Sequence, residues 1–313
     1  MGRISVETLR LAAGVRSKGA KLVLVSGVRY STFATRLPYL PRADAYVIEN
    51  GGRVFFPNSN AEVFEADGQG GEGEEEEFGN KDKTADGVEE GQEEVSAIGD
   101  PSLTAHAAGN LAEDLTWRKR LESVTGPAAQ DSKPPSEREG PLWDMYRKAV
   151  SEGFDVDTKS YFTMLRVKVG ASGKDGVGGA RGGKHTLKKT CTSGKPGGTE
   201  AVQDLLGNFP EGLRLVTNFG MVDICPDASG KHNAAAYLAT ERFGIPLSRC
   251  ASMGDDDNDI ALAKVVGKGA FITTFSSDSV EAASKEDPGR FHVAKEKGVK
   301  SSEEMLKLIL DGC

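Results

Sequence analysis

Apolar positions recur at helical spacing near the amino terminus. Leu9, Ala12 and Ala13 form a stripe behind Ser5, which reads as an N-cap, and Gly19 reads as the stop. Lys21–Gly27 follows as a β-branched-rich run ending in Ser-Gly, which predicts a buried parallel strand with Ser26 at its carboxyl end. The spacing of Leu111, Leu115, Trp117 and Leu121 predicts a helix within Ala105–Val124, and Trp143, Met145, Tyr146 and Val150 predict another. Tyr161–Val169 alternates as a strand does, Thr199–Leu206 reads as a helix, and Leu213–Thr217 with Met221–Ile224 reads as a hairpin. Further on, Gly230-Lys231-His232-Asn233 opens an alanine-rich helix with a lysine. At the end Ser301-x-x-Glu304 forms a capping box before Met305, Leu308 and Ile309, and Gly312 is the stop.

Composition interrupts this pattern in the middle of the chain. Residues 62–100 are acidic and Gly-rich, residues 125–141 hold a Pro/Ser-rich linker from Gln130 to Pro141, and residues 170–198 are basic and Gly-rich. These three stretches lack the apolar content to fold and read as disordered inserts. Inside the last, Gly178–Lys184 matches the phosphate-loop pattern GxxxxGK. His185 stands where Ser or Thr must ligate a metal, and no strand leads in, so the stretch reads as a basic loop.

Charge narrows the classes. A net charge of −8 over 313 residues argues against nucleic acid and anionic membranes as main partners. No apolar run approaches the roughly eighteen residues of a membrane span. The four cysteines have no CxxC spacing and fit a reduced compartment, so a cytoplasmic protein is expected, or an organellar one if a targeting segment precedes Met1. His106, His185, His232 and His292 are scattered and form no metal-ligand pattern; His232 reads as part of a pocket rim.

The densest chemistry lies in Ser252-Met253-Gly254-Asp255-Asp256-Asp257-Asn258-Asp259, followed by a helical run. A helix starting there puts Asp255 and Asp259 on one face of its first turn, where free N–H groups favour negative charge. Two hard oxygen ligands at the carboxyl ends of strands suit Mg²⁺. Ser26, Lys231 and this acidic segment stand in that chain order, each at an element boundary.

In these segments the chain resembles the haloacid dehalogenase superfamily of Mg²⁺-dependent phosphohydrolases, closest to its Cof-type and sucrose-phosphatase-like branch with a large cap. The resemblance covers roughly the first 58 and the last 90 residues. It implies that Ser26 hydrogen-bonds the phosphoryl group, with Gly27 and Asn50 beside it. It implies that Lys231 balances charge between nucleophile and phosphate, that Asp255 and Asp259 hold Mg²⁺, and that Asn258 accompanies them. Glu49-Asn50-Gly51-Gly52-Arg53-Val54 resembles the strand and turn leading into the cap. The implied fold is an α/β Rossmann-like core with an inserted α+β cap: 1–58 core, 59–224 cap, 225–313 core. The implied substrate is a small phosphorylated metabolite, such as a sugar phosphate; oligomeric state is not implied.

One departure is decisive for chemistry. The family's first motif, Asp-x-Asp-Gly-Thr, supplies the nucleophile, and it occurs nowhere in these residues. Leu308–Cys313 echoes it only faintly, with Ile309 at the position of the nucleophile. A central strand of about six apolar residues at roughly 1.5–3 kcal/mol each contributes on the order of 10 kcal/mol. The chain is therefore expected to need another strand, as an incomplete record of a phosphatase would. The alternative is a catalytically inactive binding or regulatory protein of the same fold, and a phosphotransferase shares every residue named.

Overall fold

The computed structural model describes residues 4–58, 103–104, 111–168, 209–218 and 221–312. The acidic insert, the basic insert with its GxxxxGK stretch, the helix expected over 199–206 and residues 105–110 lie outside the described residues.

Helix α1 (Val6–Ser17) begins where expected: the Ser5 hydroxyl accepts the Thr8 N–H, and Gly19 takes φ +85° after the last turn. Its buried side chains are Leu9, Leu11, Ala12 and Val15, with Ala13 only half-buried. The chain then forms β1 (Val23–Val25), α2 (Tyr30–Arg36), β2 (Ala45–Ile48), β3 (Arg53–Pro57) and β4 (Leu111–Glu113). These strands make one sheet in the order β1-β2-β3-β4, with β1 and β2 parallel and the remaining pairs antiparallel. Leu111, expected on a helix, pairs instead with Pro57 across β3 and β4. The helix starts later because the Asp114 carboxylate accepts the Thr116 and Trp117 N–H groups.

Helices α3 (Leu115–Arg120), α4 (Glu122–Thr125) and α5 (Pro141–Ser151) follow. The segment between α4 and α5, expected to be disordered, is built into the structure. Arg138 donates to the carbonyls of Lys133, Tyr161 and Asp131, and Gln130 bridges Thr125 and Glu139. Both side chains are buried. Strands β5 (Asp155–Asp157), β6 (Leu165–Lys168), β7 (Leu213–Asn218) and β8 (Met221–Pro226) form an antiparallel sheet in the order β5-β6-β8-β7. β6 starts four residues later than its alternation suggested, because the Phe162 and Thr163 N–H groups turn to the Glu49 carboxylate. Helix α5 packs Leu142, Trp143 and Met145 onto Leu165, Val167 and Ile224 of this sheet.

The chain closes with α6 (Lys231–Tyr237), β9 (Ser252–Gly254), α7 (Asp257–Val265), β10 (Ala270–Ile272), α8 (Asp278–Glu286), β11 (Phe291–Val293) and α9 (Val299–Gly312). These strands form a separate parallel sheet, β11-β10-β9. The last helix starts at Val299, ahead of the expected cap. The Ser301 hydroxyl donates to the Gly298 carbonyl, and the Glu304 carboxylate accepts the Lys295 and Glu296 N–H groups. Met305 and Leu306 face inward while Leu308 is exposed.

Helix pairs join the two sheets that contain parallel strands. Helix α6 lays Ala234, Tyr237 and Leu238 over Val23, Val25, Ala45 and Val47, and it packs against α7 beside β9. Helix α1 packs on α9, with the Ser5 hydroxyl donating to Glu303 at 2.6 Å and Lys18 to the Leu310 carbonyl. β1 and β9 themselves belong to different sheets, and β1 is only half-buried where the sequence implied a fully buried strand.

Candidate functional site

The carboxyl ends of β1 and β9 meet in one region. After β1 the Ser26 N–H donates to the Val47 carbonyl at 2.8 Å, and the Ser26 hydroxyl accepts the Val28 N–H at 3.3 Å across Gly27. The Ser26 carbonyl accepts the Asn50 N–H at 3.3 Å. Asn50 therefore sits against the end of β1 in the turn between β2 and β3.

Lys231 is the first residue of α6 and is largely buried, with its ammonium 2.6 Å from Asp259 Oδ1. The helix can begin this close because of glycine. A side chain on Gly51 would run into the Gly230 backbone at 2.3 Å, and both residues have positive φ.

Helix α7 starts at Asp257, so Asp255 stands just ahead of the helix instead of in its first turn. Asp256 is the N-cap and Asp259 completes a capping box. Asp259 Oδ2 accepts the Asp255 and Asp256 N–H groups at 3.2 and 3.4 Å. Both Asp259 oxygens are thus engaged, one by Lys231 and one by the backbone. The Asp255 carboxylate has no hydrogen-bond donor among the described residues. Burial and then the neighbouring Asp259 push its pKa up, with Lys231 only partly opposing them. A carboxylate without a donor among the described residues is a candidate ligand for a cation. Among the described residues no group of three metal-ligating side chains is assembled, so Asp255 fits as one anchor and the rest of a metal shell is not provided there.

Asn258, in the first turn of α7, donates toward Asn50 Oδ1 at 3.5 Å, and its own Oδ1 is buried without a hydrogen-bond partner among the described residues. Asn50 in turn donates to Asp223 on β8 at 2.8 Å, and Asp223 accepts two hydrogen bonds from Arg166 on β6 at 2.6 and 2.8 Å. The amide of Asn50 is spent on these contacts. It connects the site to the antiparallel sheet.

Sequence reasoning missed Glu49 as well. It is fully buried at φ +53°, and one oxygen accepts the Phe162 N–H, the Thr163 N–H and the Thr163 hydroxyl. Burial pushes its pKa up, against the attraction of Arg53. A left-handed Glu-Asn pair has no local signature, because the conformation is imposed by the distant residues it binds. His232, beside Lys231, is held in its neutral form more firmly than usual by burial and by Arg214.

A cavity of about 270 Å³ lies against β1, lined by Ile4, Leu24, Val25, Ser26, Val28 and Phe33 among others. A second one of about 260 Å³, lined by Lys268, Asp287, Arg290 and His292, lies at the amino ends of β10 and β11, away from these residues.

A serine, a helix-opening lysine and a Gly-Asp segment thus stand at the carboxyl ends of parallel strands in a Rossmann-like class of fold. Residues 186–287 match the family model of haloacid dehalogenase-like hydrolases. Solved structures agree in fold. The sucrose-phosphatase of Synechocystis sp. PCC6803, in complex with sucrose and phosphate, aligns with a TM-score of 0.55 at 13% identity, covering 96% of this chain and 89% of that one. A sugar phosphatase of haloacid dehalogenase subclass IIB aligns at 0.50 and 11% identity over 98% and 93%. A Thermoplasma acidophilum protein aligns at 0.50 and 11% identity over 98% and 90%. No curated protein matches the chain. The chain shares with these structures the fold of an α/β core with a cap.

Proposed function

We propose that the protein is a phosphatase of the haloacid dehalogenase type, acting on a small phosphate monoester, with a sugar phosphate as the leading substrate class. The observation that carries this reading is the convergence, at the carboxyl ends of β1 and β9, of Ser26, the Lys231–Asp259 pair and Asp255, whose carboxylate has no donor among the described residues. The sugar-phosphatase character of the structural neighbours supports the substrate class. In this reading residues 1–58 and 225–313 form the core and 59–224 the cap.

Each residue then has a physical task. The Ser26 hydroxyl and the Gly27 backbone hold phosphoryl oxygens. Lys231, oriented by Asp259, neutralises charge that builds on them in the transition state. Asp255 anchors Mg²⁺, and Asp259 keeps the Asp255 backbone in place through its Oδ2. When bound, Mg²⁺ supplies charge stabilisation and a template for the phosphoryl group. Asn258 hands the position of this segment on to Asn50 and the cap sheet.

The attacking carboxylate is not among these residues, and the reading places it on a strand beside Ser26 and Asp255. The competing reading, phosphate binding without turnover, is favoured by that same gap. Measuring phosphate binding and hydrolysis of p-nitrophenyl phosphate with and without Mg²⁺, on the chain alone and on a chain extended by a strand carrying Asp-x-Asp, separates the two. Mg²⁺-dependent turnover that appears only in the extended chain and vanishes in Lys231→Ala supports the enzyme. Binding without turnover in both supports the alternative.

A further inference from the structure

The 260 Å³ cavity at the amino ends of β10 and β11 takes no part in the function proposed above, and its walls are held by the backbone. The turn ahead of β10 is tied down at two points. The Gly267 N–H donates to the Leu247 carbonyl at 2.9 Å, and the Lys268 N–H to the Cys250 carbonyl at 2.8 Å. The turn ahead of β11 closes on itself, with the Arg290 and Phe291 N–H groups on the Asp287 carbonyl at 3.1 and 3.2 Å. Gly269, at φ +111°, lets the His292 ring lie against its backbone, where an added side chain would meet that ring at 3.0 Å. The same ring stacks on Phe271, with centroids 4.8 Å apart.

These walls present donors with nothing to bind. The Lys268 ammonium has no hydrogen bond or ion pair among the described residues, and the N–H groups of Gly269 and Gly289 have no acceptor there. Arg290 spends Nε on Asp287 at 3.1 Å and Nη1 on the carbonyls of Ala263, Lys264 and Val266. Its Nη2 is left unused among those residues. Asp287 supplies the carboxylate of the lining, and its Oδ2 is the atom that Arg290 binds. Two positive charges therefore meet one negative charge that is already paired, in a chain whose net charge is −8. Donors in excess on two anchored turns select an anion, since a metal ion needs oxygens where these walls offer N–H groups.

Size narrows the anion. At roughly 30 Å³ per water, the 260 Å³ cavity has room for about nine waters. That is more than an orthophosphate displaces and close to the heavy-atom count of a diphosphate. The volume falls short of the roughly 300–1,000 Å³ that encloses a drug-sized ligand, so a larger molecule leaves only its charged group inside. The donors fall into two sets, Lys268 with Gly269 on one turn and Gly289 with Arg290 on the other, one for each phosphoryl group. We propose that this cavity is a diphosphate-binding site, separate from the candidate active site and at the opposite end of α7 from Asn258 and Asp259.

The test uses the 313-residue chain and its Lys231→Met variant, with inorganic pyrophosphate in metal-free buffer at constant ionic strength. Titration calorimetry is expected to show saturable binding that Lys231→Met retains, with orthophosphate weaker in that variant by about tenfold or more. In the same variant the amide resonances of Lys268, Gly269, Gly289 and Arg290 are expected to shift, while those of Ser26 and Asp255 stay. Lys268 is exposed and Arg290 alone caps the end of α7, so Lys268→Glu is expected to leave Tm unchanged. It should weaken pyrophosphate binding by about tenfold or more. ADP separates the sources of the group. Binding as tight as that of pyrophosphate identifies a diphosphate ester, and binding of pyrophosphate alone identifies the free ion.

Four outcomes overturn the proposal: no saturable binding at millimolar pyrophosphate, Lys268→Glu binding as tightly as the parent chain, shifts confined to Ser26 and Asp255, or orthophosphate binding as tightly as pyrophosphate in Lys231→Met. Ser26 and Lys231 take no part in this site, so it and the proposed function can each fail alone.

Discussion

The antiparallel sheet β5-β6-β8-β7 and the two sheets that contain parallel strands differ in completeness. In the first, Trp143, Leu142, Leu165 and Ile224 are fully buried, and α5 closes one face. In the second, β2 is buried at every position, yet its parallel neighbour β1 is half-exposed along its length, as is most of β9. The first region is a finished core, while the second is two half-cores held together by helices. A region can therefore carry all the residues that read as functional and still be the less finished part of the fold.

The comparison breaks most directly at Trp143. Its ring is fully buried and its indole N–H donates to the Thr125 carbonyl at 2.8 Å. Trp143→Ala is expected to cost about 3–5 kcal/mol, seen as an early unfolding transition in denaturant that leaves the Lys231–Asp259 region to melt separately. A single shared transition would show that the two regions fold as one unit.

Lys231→Met comes next. Removing the ammonium leaves Asp259 partly buried with one oxygen unpaired, at a cost of about 1–3 kcal/mol, and inorganic phosphate binding is expected to be lost in titration calorimetry. Asn50→Ala tests the link between the regions. It removes the donor to buried Asp223 and is expected to cost about 1–2 kcal/mol, with hydrogen exchange rising in both β8 and the first turn of α7. A rise in only one of the two would separate them.

The smallest expected effect has the opposite sign. Burial and Asp259 raise the pKa of Asp255, so the folded state holds that proton to higher pH than the unfolded chain does. Its ionisation costs nothing in acid below the unfolded carboxylate pKa, and the cost grows as pH rises through the folded value. Asp255→Asn is therefore expected to raise Tm by about 1–3 °C near neutral pH, with the gain fading in acid, while Mg²⁺-dependent turnover in a strand-completed chain is abolished. A variant that is less stable at neutral pH would contradict the raised pKa. Stability gained as function is lost is the usual signature of a residue kept for its chemistry.

Much of the fold was legible from local pattern. The Ser5 cap, the hairpin over 213–226 and the lysine at the start of α6 each follow from a short run of residues. The acidic segment was legible as a cap, though one residue decided how: Asp256, not Asp255, became the N-cap and moved Asp255 out of the helix. The segment over 125–141 was misread because its order comes from Arg138 reaching carbonyls up to 23 residues away. Composition cannot report such bonds.

The sequence by itself determined the fold class, the helices with good caps, and the residue types gathered at the site, because propensity, capping and spacing act over a few residues. Tertiary structure alone decided that Asn50 and Glu49 join the turn to the antiparallel sheet and the segment before it, that Asp259 serves Lys231 and the backbone, and that the parallel strands stand in two sheets. Those outcomes depend on which distant groups satisfy each buried donor and acceptor, and that matching exists only once the chain has closed around them.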